Sequence, residues 1–367
     1  MPCLRCHVED GPENIEMYSM DTATVPQIEW PSPENAGRIV AEVDPKEFCL
    51  NNLLGLGGFG QVYKVNFRDS TVAIKVFTKW KCSSWAHESS IHDYLGAGSP
   101  HISNIICTDI DKRIKEKFKY WIMFQYYEHG CLYKYLKKNH LEEEQLLEMA
   151  LGISSGLKYI HEPFRGFQSP SKNSKYKYKP PIYHGDIKPM NIFLDKNLAP
   201  VIGDFGMARP KWEEGKKEET KRKAEGTMRY LAPEILACQD QEEFAKLPFE
   251  TFQLADMYSF GLVLWEMTNR TRFVKYFTFL NIPWYSPPHE YVVAYQNESL
   301  EASEEEMKSL VVHQGIRPRL LDEWLNNITA KKMRQIMTSC WSSSLRQRPN
   351  SARVHKELLL FYKSLYK

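Results

Sequence analysis

The chain has no run approaching the roughly 18 uncharged residues that a membrane-spanning helix needs, so no span is expected within it. It also lacks an excess of either charge. Lys and Arg number 48 against 46 Asp and Glu, a net +2 that argues against a nucleic-acid binder or a polybasic membrane coat. The N-terminus has no secretory apolar core, so the sequons at Asn269, Asn297 and Asn327 read as accidental. Paired cysteines are scarce too. Cys49, Cys82, Cys107, Cys131, Cys238 and Cys340 stand singly, as reduced thiols of a cytosolic compartment do. The remaining two, Cys3 and Cys6, open the chain in "CLRCH", which fits a haem-attachment pattern. With no export signal and no second Cys or His pair at zinc spacing, that match reads as chance.

What is present is an ordinary soluble composition, 43% hydrophobic and 26% charged over 367 residues, enough for one large domain or two smaller ones. Residues 1–46 are rich in Pro, Glu, Asp and Ser without periodicity and read as a flexible tail. From Glu47 come β-like runs, "EFCLNNLLG", "GQVYKV", "STVAIKVF", "SNIICTDI" and "KYWIMFQYY", which fit one antiparallel sheet. A helix is expected to interrupt them at residues 84–95. After Cys131 the period changes: Leu146, Ala150, Ile153, Leu157 and Ile160 recur at helical spacing. "ADMYSFGLVLWEM" is apolar nearly all round and reads as a helix buried in a helical lobe. "RGFQSPSKNSKYKYKP" and "PKWEEGKKEETKRKAEG" read as exposed charged loops, and there are no internal repeats.

Several short stretches carry chemistry. "GLGGFGQV" sets Gly55, Gly57 and Gly60 at Gly-x-Gly-x-x-Gly spacing, with Leu56, Gly58, Phe59, Gln61 and Val62 completing the run. Glycines let backbone N–H groups approach phosphate oxygens, although the motif alone also fits a plain β-turn. A dinucleotide-binding reading requires a helix next, and here another strand follows. That strand holds Ala73 and, fifteen residues after Gly60, Lys75. A lysine in an apolar strand is either an exposed residue of an alternating pattern or an anion ligand oriented by a carboxylate. Glu88 on the following helix is the chosen carboxylate, against its reading as a solvated helical residue. Further on, "YHGDIKPMNIFLDKNLAPVIGDFGMAR" holds Asp186, Lys188 and Asn191, and Asp204 thirteen residues after Asn191. "GTMRYLAPE" follows, and its Glu234 is expected to pair with Arg348. Asp256 is expected to cap the start of the buried helix and to steady the loop around Asp186.

In this order the stretches resemble a protein kinase domain of the tyrosine-kinase-like group. Residues 47–362 are especially similar to the intracellular domain of TGF-β superfamily receptor serine/threonine kinases. That likeness rests on "SWAHE", "YYEHGCLYKYL", "GTMRYLAPEIL", "ADMYSFGLVLWEMTNR", "PPHEYVVAYQNE", "GIRPRLLDEW" and the thirteen-residue step from Lys75 to Glu88. "EYVVAYQ" and "YKPPIYH" look more like type II receptors, the bone morphogenetic protein kind especially, and no Gly-Ser-rich regulatory run precedes the domain.

The resemblance implies an α+β, bilobal protein kinase fold, with a small β-rich N-lobe at about 47–127 and a larger, mainly helical C-lobe at about 128–363. It implies ATP with Mg²⁺ or Mn²⁺. In the first lobe, residues 55–62 and Ala73 would enclose the nucleotide, Lys75 held by Glu88 would take its phosphates, and Phe124 would be gatekeeper. Gln125 and Tyr127 would lie on the hinge. Asp186 would orient the substrate hydroxyl, Lys188 would neutralise the transferring phosphoryl group, and Asn191 and Asp204 would hold the metal. Lys188 and Thr227 are the choices of a kinase acting on serine or threonine. The implied partners are a protein substrate and a type I receptor kinase, with no nucleic acid, on the cytoplasmic side of a membrane. A full-length receptor has a signal peptide, a cysteine-rich ectodomain and one span, none of which this sequence shows. A partial product, a splice form and a receptor-derived cytosolic kinase all fit that. Two other readings stay open, a pseudokinase scaffold and a tyrosine-kinase-like kinase unrelated to receptors. One departure stands out: Gly185 precedes Asp186 where most kinases have arginine, and it is expected to add backbone freedom there.

Overall fold

The computed structural model describes residues 50, 52–57, 60–96, 98–110, 118–165, 178–211, 227–276, 283–285, 288–299 and 301–366. The expected tail at 1–46, the loop-tip residues Gly58 and Phe59, and residues 212–226 of the second charged loop lie outside them. The described residues fall into two compact units, 50–90 with 105–126, and 91–104 with 127–165 and 178–366. Among them no helix is long and apolar enough to cross a membrane.

The first unit is a five-stranded antiparallel sheet of order β1-β2-β3-β5-β4. Its strands are β1 (Asn52–Gly57), β2 (Gly60–Phe67), β3 (Ser70–Thr78), β4 (Ile105–Ile110) and β5 (Phe118–Gln125). Side chains alternate across a strand, and β3 shows what that achieves here. Val72, Ile74 and Val76 pack with Val65, Phe67, Trp121 and Met123 on one face. Phe77, in step with Ala73 and Lys75, joins Trp85, Ala86, Ile105 and Ile122 on the other. Trp85 and Ala86 belong to α1 (Cys82–Leu95), so Lys75 shares the face that packs on this helix. The Trp85 indole N–H anchors the helix by donating to Thr108 Oγ1 (2.9 Å) and the Trp121 carbonyl (3.2 Å).

The second unit runs through α2 (Leu132–Lys138), β6 (Leu141–Glu142), α3 (Glu143–His161), β7 (Phe164–Arg165) and β8 (Tyr178–Lys179). It continues with β9 (Ile182–Tyr183), β10 (Ile192–Leu194), β11 (Pro200–Ile202) and β12 (Arg209–Pro210). Helices follow: α4 (Pro233–Leu236), α5 (Gln241–Lys246), α6 (Phe249–Asn269), α7 (Glu304–Met307), α8 (Ile328–Cys340) and α9 (Ser351–Tyr366). A capping box between Glu142 and Gln145 starts α3, whose apolar positions Leu146, Ala150, Ile153, Leu157 and Ile160 are all buried. The apolar stretch expected as a buried helix is α6, with 16 of its 21 residues buried. It needs Gly261: a Cβ there would stand 3.0 Å from the Cys340 Cβ of α8.

Two expectations change. Asp256 does not cap α6, which begins seven residues earlier at Phe249. Lys179, read as part of an exposed basic loop, is wholly buried; residues 166–177 of that stretch lie outside the described set.

Candidate active site

In the first unit the strand register sorts the residues. Gly55 pairs with Val62, and Val62 with Lys75, so the three form one row across β1, β2 and β3. Ala73, two residues from Lys75, shares its face and stands opposite Phe124. A Cβ at Gly55 would meet nothing within 4 Å, which leaves the backbone open to a ligand, whereas one at Gly60 would collide with the Val76 carbonyl at 2.6 Å. The first glycine gives access and the second gives close strand packing. Gln61 lies in β2, and its Oε1 accepts from the Tyr63 hydroxyl at 2.7 Å. Leu56 and Gly57 close β1. Lys75 Nζ donates to Glu88 Oε2 at 2.7 Å, both side chains buried. The sheet face and the α1 packing described above bring this pair together, as the sequence predicts. Gln125 ends β5 and is exposed.

In the second unit Tyr127 is buried and stacked on Phe193, ring centroids 5.6 Å apart. The β10–β11 hairpin positions the acidic residues. Ile192 pairs with Ile202, and the Gly203 N–H donates to the Asn191 carbonyl at 2.9 Å, which sets Asn191 and Asp204 at the same end. Asp204 holds a left-handed backbone, φ 61° and ψ 72°. Asn191 donates through Nδ2 to the Asp186 carbonyl and to Asp186 Oδ2, both at 2.8 Å, which fixes its amide plane and leaves Oδ1 on the far side.

Around Asp186 the network is dense. Lys188 Nζ lies 2.7 Å from Asp186 Oδ2 and donates to Thr227 Oγ1 at 2.6 Å, and the Thr227 hydroxyl donates to Asp186 Oδ1 at 3.1 Å. The sequence reading named each of these residues but not the closed triangle of Asp186, Lys188 and Thr227.

The loop is held from below. Asp256 accepts from the backbone N–H groups of His184 (2.7 Å) and Gly185 (2.9 Å) and from His161 Nε2 (3.0 Å). His184 accepts from the Asp186 N–H at Nδ1 (3.2 Å), so its Nε2 carries the proton and donates to the Gly203 carbonyl (3.1 Å). Gly185 itself sits at φ +79°, and a Cβ there would lie 3.2 Å from the Met207 carbonyl. This glycine adopts a left-handed turn, which lacks a Cβ penalty only in glycine, and its N–H is tied to Asp256.

Glu234 and Arg348 pair bidentately at 2.6 and 3.0 Å, as expected. Sequence reasoning missed Glu266, wholly buried within the apolar α6. It accepts from Tyr230 Oη (2.7 Å), Tyr291 Oη and the Ala294 N–H (3.1 Å). Burial raises its carboxyl to about 7 despite those donors. A single glutamate in an apolar run gives no signal of this.

The protein kinase domain family matches residues 48–359. The chain is 29% identical to TGF-beta receptor type-1 of Homo sapiens over 321 residues, 87% of this chain and 59% of that protein. It is 29% identical to activin receptor type-1B of Homo sapiens over 314 residues, 85% of this chain and 57% of that protein. Against activin receptor type-2A of Xenopus laevis it is 30% identical over 324 residues, 87% of this chain and 57% of that protein. Type 1 and type 2 receptors thus match almost equally, and the chain spans less than three-fifths of these relatives' length. Its motif order, its sheet unit and helical unit, and a match over most of its length agree: the chain belongs to the protein kinase domain family and is similar within it to the TGF-β superfamily receptor kinases.

Proposed function

We propose that this chain is a serine/threonine protein kinase of the receptor type, transferring the γ-phosphoryl group of ATP to a protein hydroxyl. The observation that carries this reading is Thr227. Its aliphatic hydroxyl is engaged at once by Asp186 Oδ1 (3.1 Å) and Lys188 Nζ (2.6 Å), the handling that a serine or threonine acceptor needs. Asp186 is assigned to orient the acceptor hydroxyl and take its hydrogen bond, and Lys188 to offset the charge of the phosphoryl group in transit. Lys75, oriented by Glu88, is assigned to the α- and β-phosphates, and residues 55–62, Ala73, Gln125 and Tyr127 to the nucleotide.

A protein kinase domain uses ATP and a divalent metal. The residues present fit such an ion. Asn191 Oδ1 and the Asp204 carboxylate are hard oxygen donors, and no cluster of three or more His, Cys, Asp or Glu able to hold a metal occurs among the described residues. Two protein ligands suit Mg²⁺, which keeps water and phosphate oxygens in its remaining positions. The metal when bound would screen phosphate charge. The type II receptor role, with a type I receptor kinase as partner on the cytoplasmic face, follows from "EYVVAYQ" and "YKPPIYH" and belongs to the same proposal.

The test is incubation of purified protein with labelled ATP, Mg²⁺ and a generic protein acceptor, followed by identification of the phosphorylated amino acid. Phosphoserine or phosphothreonine is expected. Phosphotyrosine would overturn the acceptor class, and no transfer by folded protein would favour the scaffold reading.

A further inference from the structure

We propose that Lys179 is a positioning residue for the catalytic loop, its buried side chain tying the end of α3 to the strand that leads into Asp186. The inference rests on the assignment of Asp186 as the residue that orients the acceptor.

The geometry is unusual for a lysine. The residue is 0% exposed, and its Nζ donates to three backbone carbonyls, those of Ile160 (3.0 Å), Glu162 (2.7 Å) and Pro180 (3.1 Å). Two of these acceptors lie at the C-terminal end of α3, where helical carbonyls have no partner within the helix. A cation is suited to that negative end of the helix dipole. The Tyr159 ring, 5.2 Å from Nζ, faces the same ammonium. Burying a lysine costs more than burying a methionine of similar length, so a residue wanted for packing alone would not need the charge. The ammonium does what a methionine cannot: its three N–H groups match three acceptors from two chain segments.

The connection to chemistry is short and stiff. Pro180 and Pro181 follow, each with a fixed φ, and then β9 with Ile182 and Tyr183, His184, Gly185 and Asp186. The Pro181 carbonyl accepts from the Lys211 N–H (2.7 Å), and β9 pairs with β12, which opens the activation segment. Gln253 of α6 repeats the tie, donating from Nε2 to the carbonyls of His161 (2.9 Å) and Ile182 (3.3 Å). Lys179 and Gln253 thus join the end of α3 to the loop entry from one side, and the His161–Asp256 contact described above holds the loop itself.

Burial pulls the Lys179 ammonium from 10.5 to about 7, against the opposing charge of Glu162. Glu162 itself has Lys158 Nζ 3.9 Å from its Oε2, and the Tyr159 phenol, whose ring faces the Lys179 ammonium, is raised by burial to about 12. A neutral amine has two N–H groups for three carbonyls. The tie therefore weakens as pH rises through about 7, and kcat falls with it. Stability moves the other way. The native value is depressed below the unfolded one, so between about 7 and 10.5 the unfolded chain binds more protons and stability rises with pH. A lysine that only held the fold together would make activity follow stability. A positioning lysine makes them diverge.

The experiment compares the full chain with Lys179→Met between pH 6 and 8.5, reading kcat, KM for ATP and melting temperature. For the wild type we expect kcat to fall about tenfold across this range while its melting temperature, relative to Lys179→Met, rises. For Lys179→Met we expect a flat kcat near the wild-type high-pH value, with KM for ATP within about twofold. A kcat and pH profile shared by the two proteins would overturn the proposal. If Lys179→Met does not fold, amide hydrogen exchange of wild-type residues 182–186, corrected for intrinsic rates, decides. Protection lower by tenfold or more at pH 8.5 than at pH 6 supports the tie, and unchanged protection overturns it. This arm needs no turnover, so an inactive wild type would count against the kinase assignment alone.

Discussion

Each of the two units buries a lysine, and the two solve the problem differently. In the sheet unit Lys75 meets a carboxylate, Glu88, at 2.7 Å, and both side chains are shielded from water. In the helical unit the hydrogen bonds of Lys179 go to backbone carbonyls, and no carboxylate lies within ion-pair distance among the described residues. A buried charge with a charged partner stays charged near neutrality, but it fails abruptly when that partner is removed. A buried charge held by neutral dipoles titrates instead. The first arrangement suits a permanent phosphate ligand, and the second suits an adjustable tether.

The comparison is broken most severely from the Lys75 side. Lys75→Arg keeps the charge but changes its shape and hydrogen-bond geometry, and Asp204→Asn removes a ligand charge. Each is expected to lower kcat by about a thousandfold, near 4 kcal/mol of barrier, with an unchanged circular dichroism spectrum. Activity within tenfold of wild type in either variant would contradict the assignments.

Removing the partner charges sharpens the contrast. Glu88→Gln leaves Lys75 buried without its counter-charge and is expected to cost about 3 kcal/mol of stability. Glu162→Gln, at the corresponding position beside Lys179, should cost under about 0.5 kcal/mol, because the carbonyls remain. Denaturant midpoints at pH 7 measure both, and equal losses would erase the distinction.

Glu266 supplies the acidic counterpart of Lys179. Its native value is raised from 4.5 to about 7, so the stability it contributes is complete below 4.5 and is lost as pH rises towards 7. Glu266→Gln should flatten melting temperature over that interval; an unaltered slope would mean that other groups set it. A smaller effect than at Glu88 is expected at Gly185. Gly185→Ala places a Cβ at φ +79° and should cost about 1 kcal/mol, measurable by thermal melting.

Legibility in the sequence followed the kind of physics involved. The sheet, α3 and α6 were readable because β-branched runs, apolar periodicity and a long apolar stretch are local properties of the chain. So was the Lys75–Glu88 pair, through motif spacing. The tether was not readable. Lys179 stands in "SKNSKYKYKP", where composition indicates solvent, and only tertiary structure shows that this lysine is buried. Asp256 was half legible: its hold on the loop was foreseen, but α6 begins two turns earlier because Phe249, Thr251 and Phe252 extend the helix. The left-handed turn at Gly185 was not legible, since a glycine in a sequence does not reveal which φ it adopts.

The close seam between Gly261 of α6 and Cys340 of α8 has a use beyond packing. Burial pushes the Cys340 thiol up to about 12, and no part of it reaches solvent, while Cys82, Cys107 and Cys238 are only half-buried. Reaction with a thiol reagent is governed by thiolate and access, so the half-buried thiols should be modified first and Cys340 only when α6 and α8 separate. Mass-resolved alkylation at Cys340 would therefore time the opening of the helical unit, independently of anything that happens at the nucleotide.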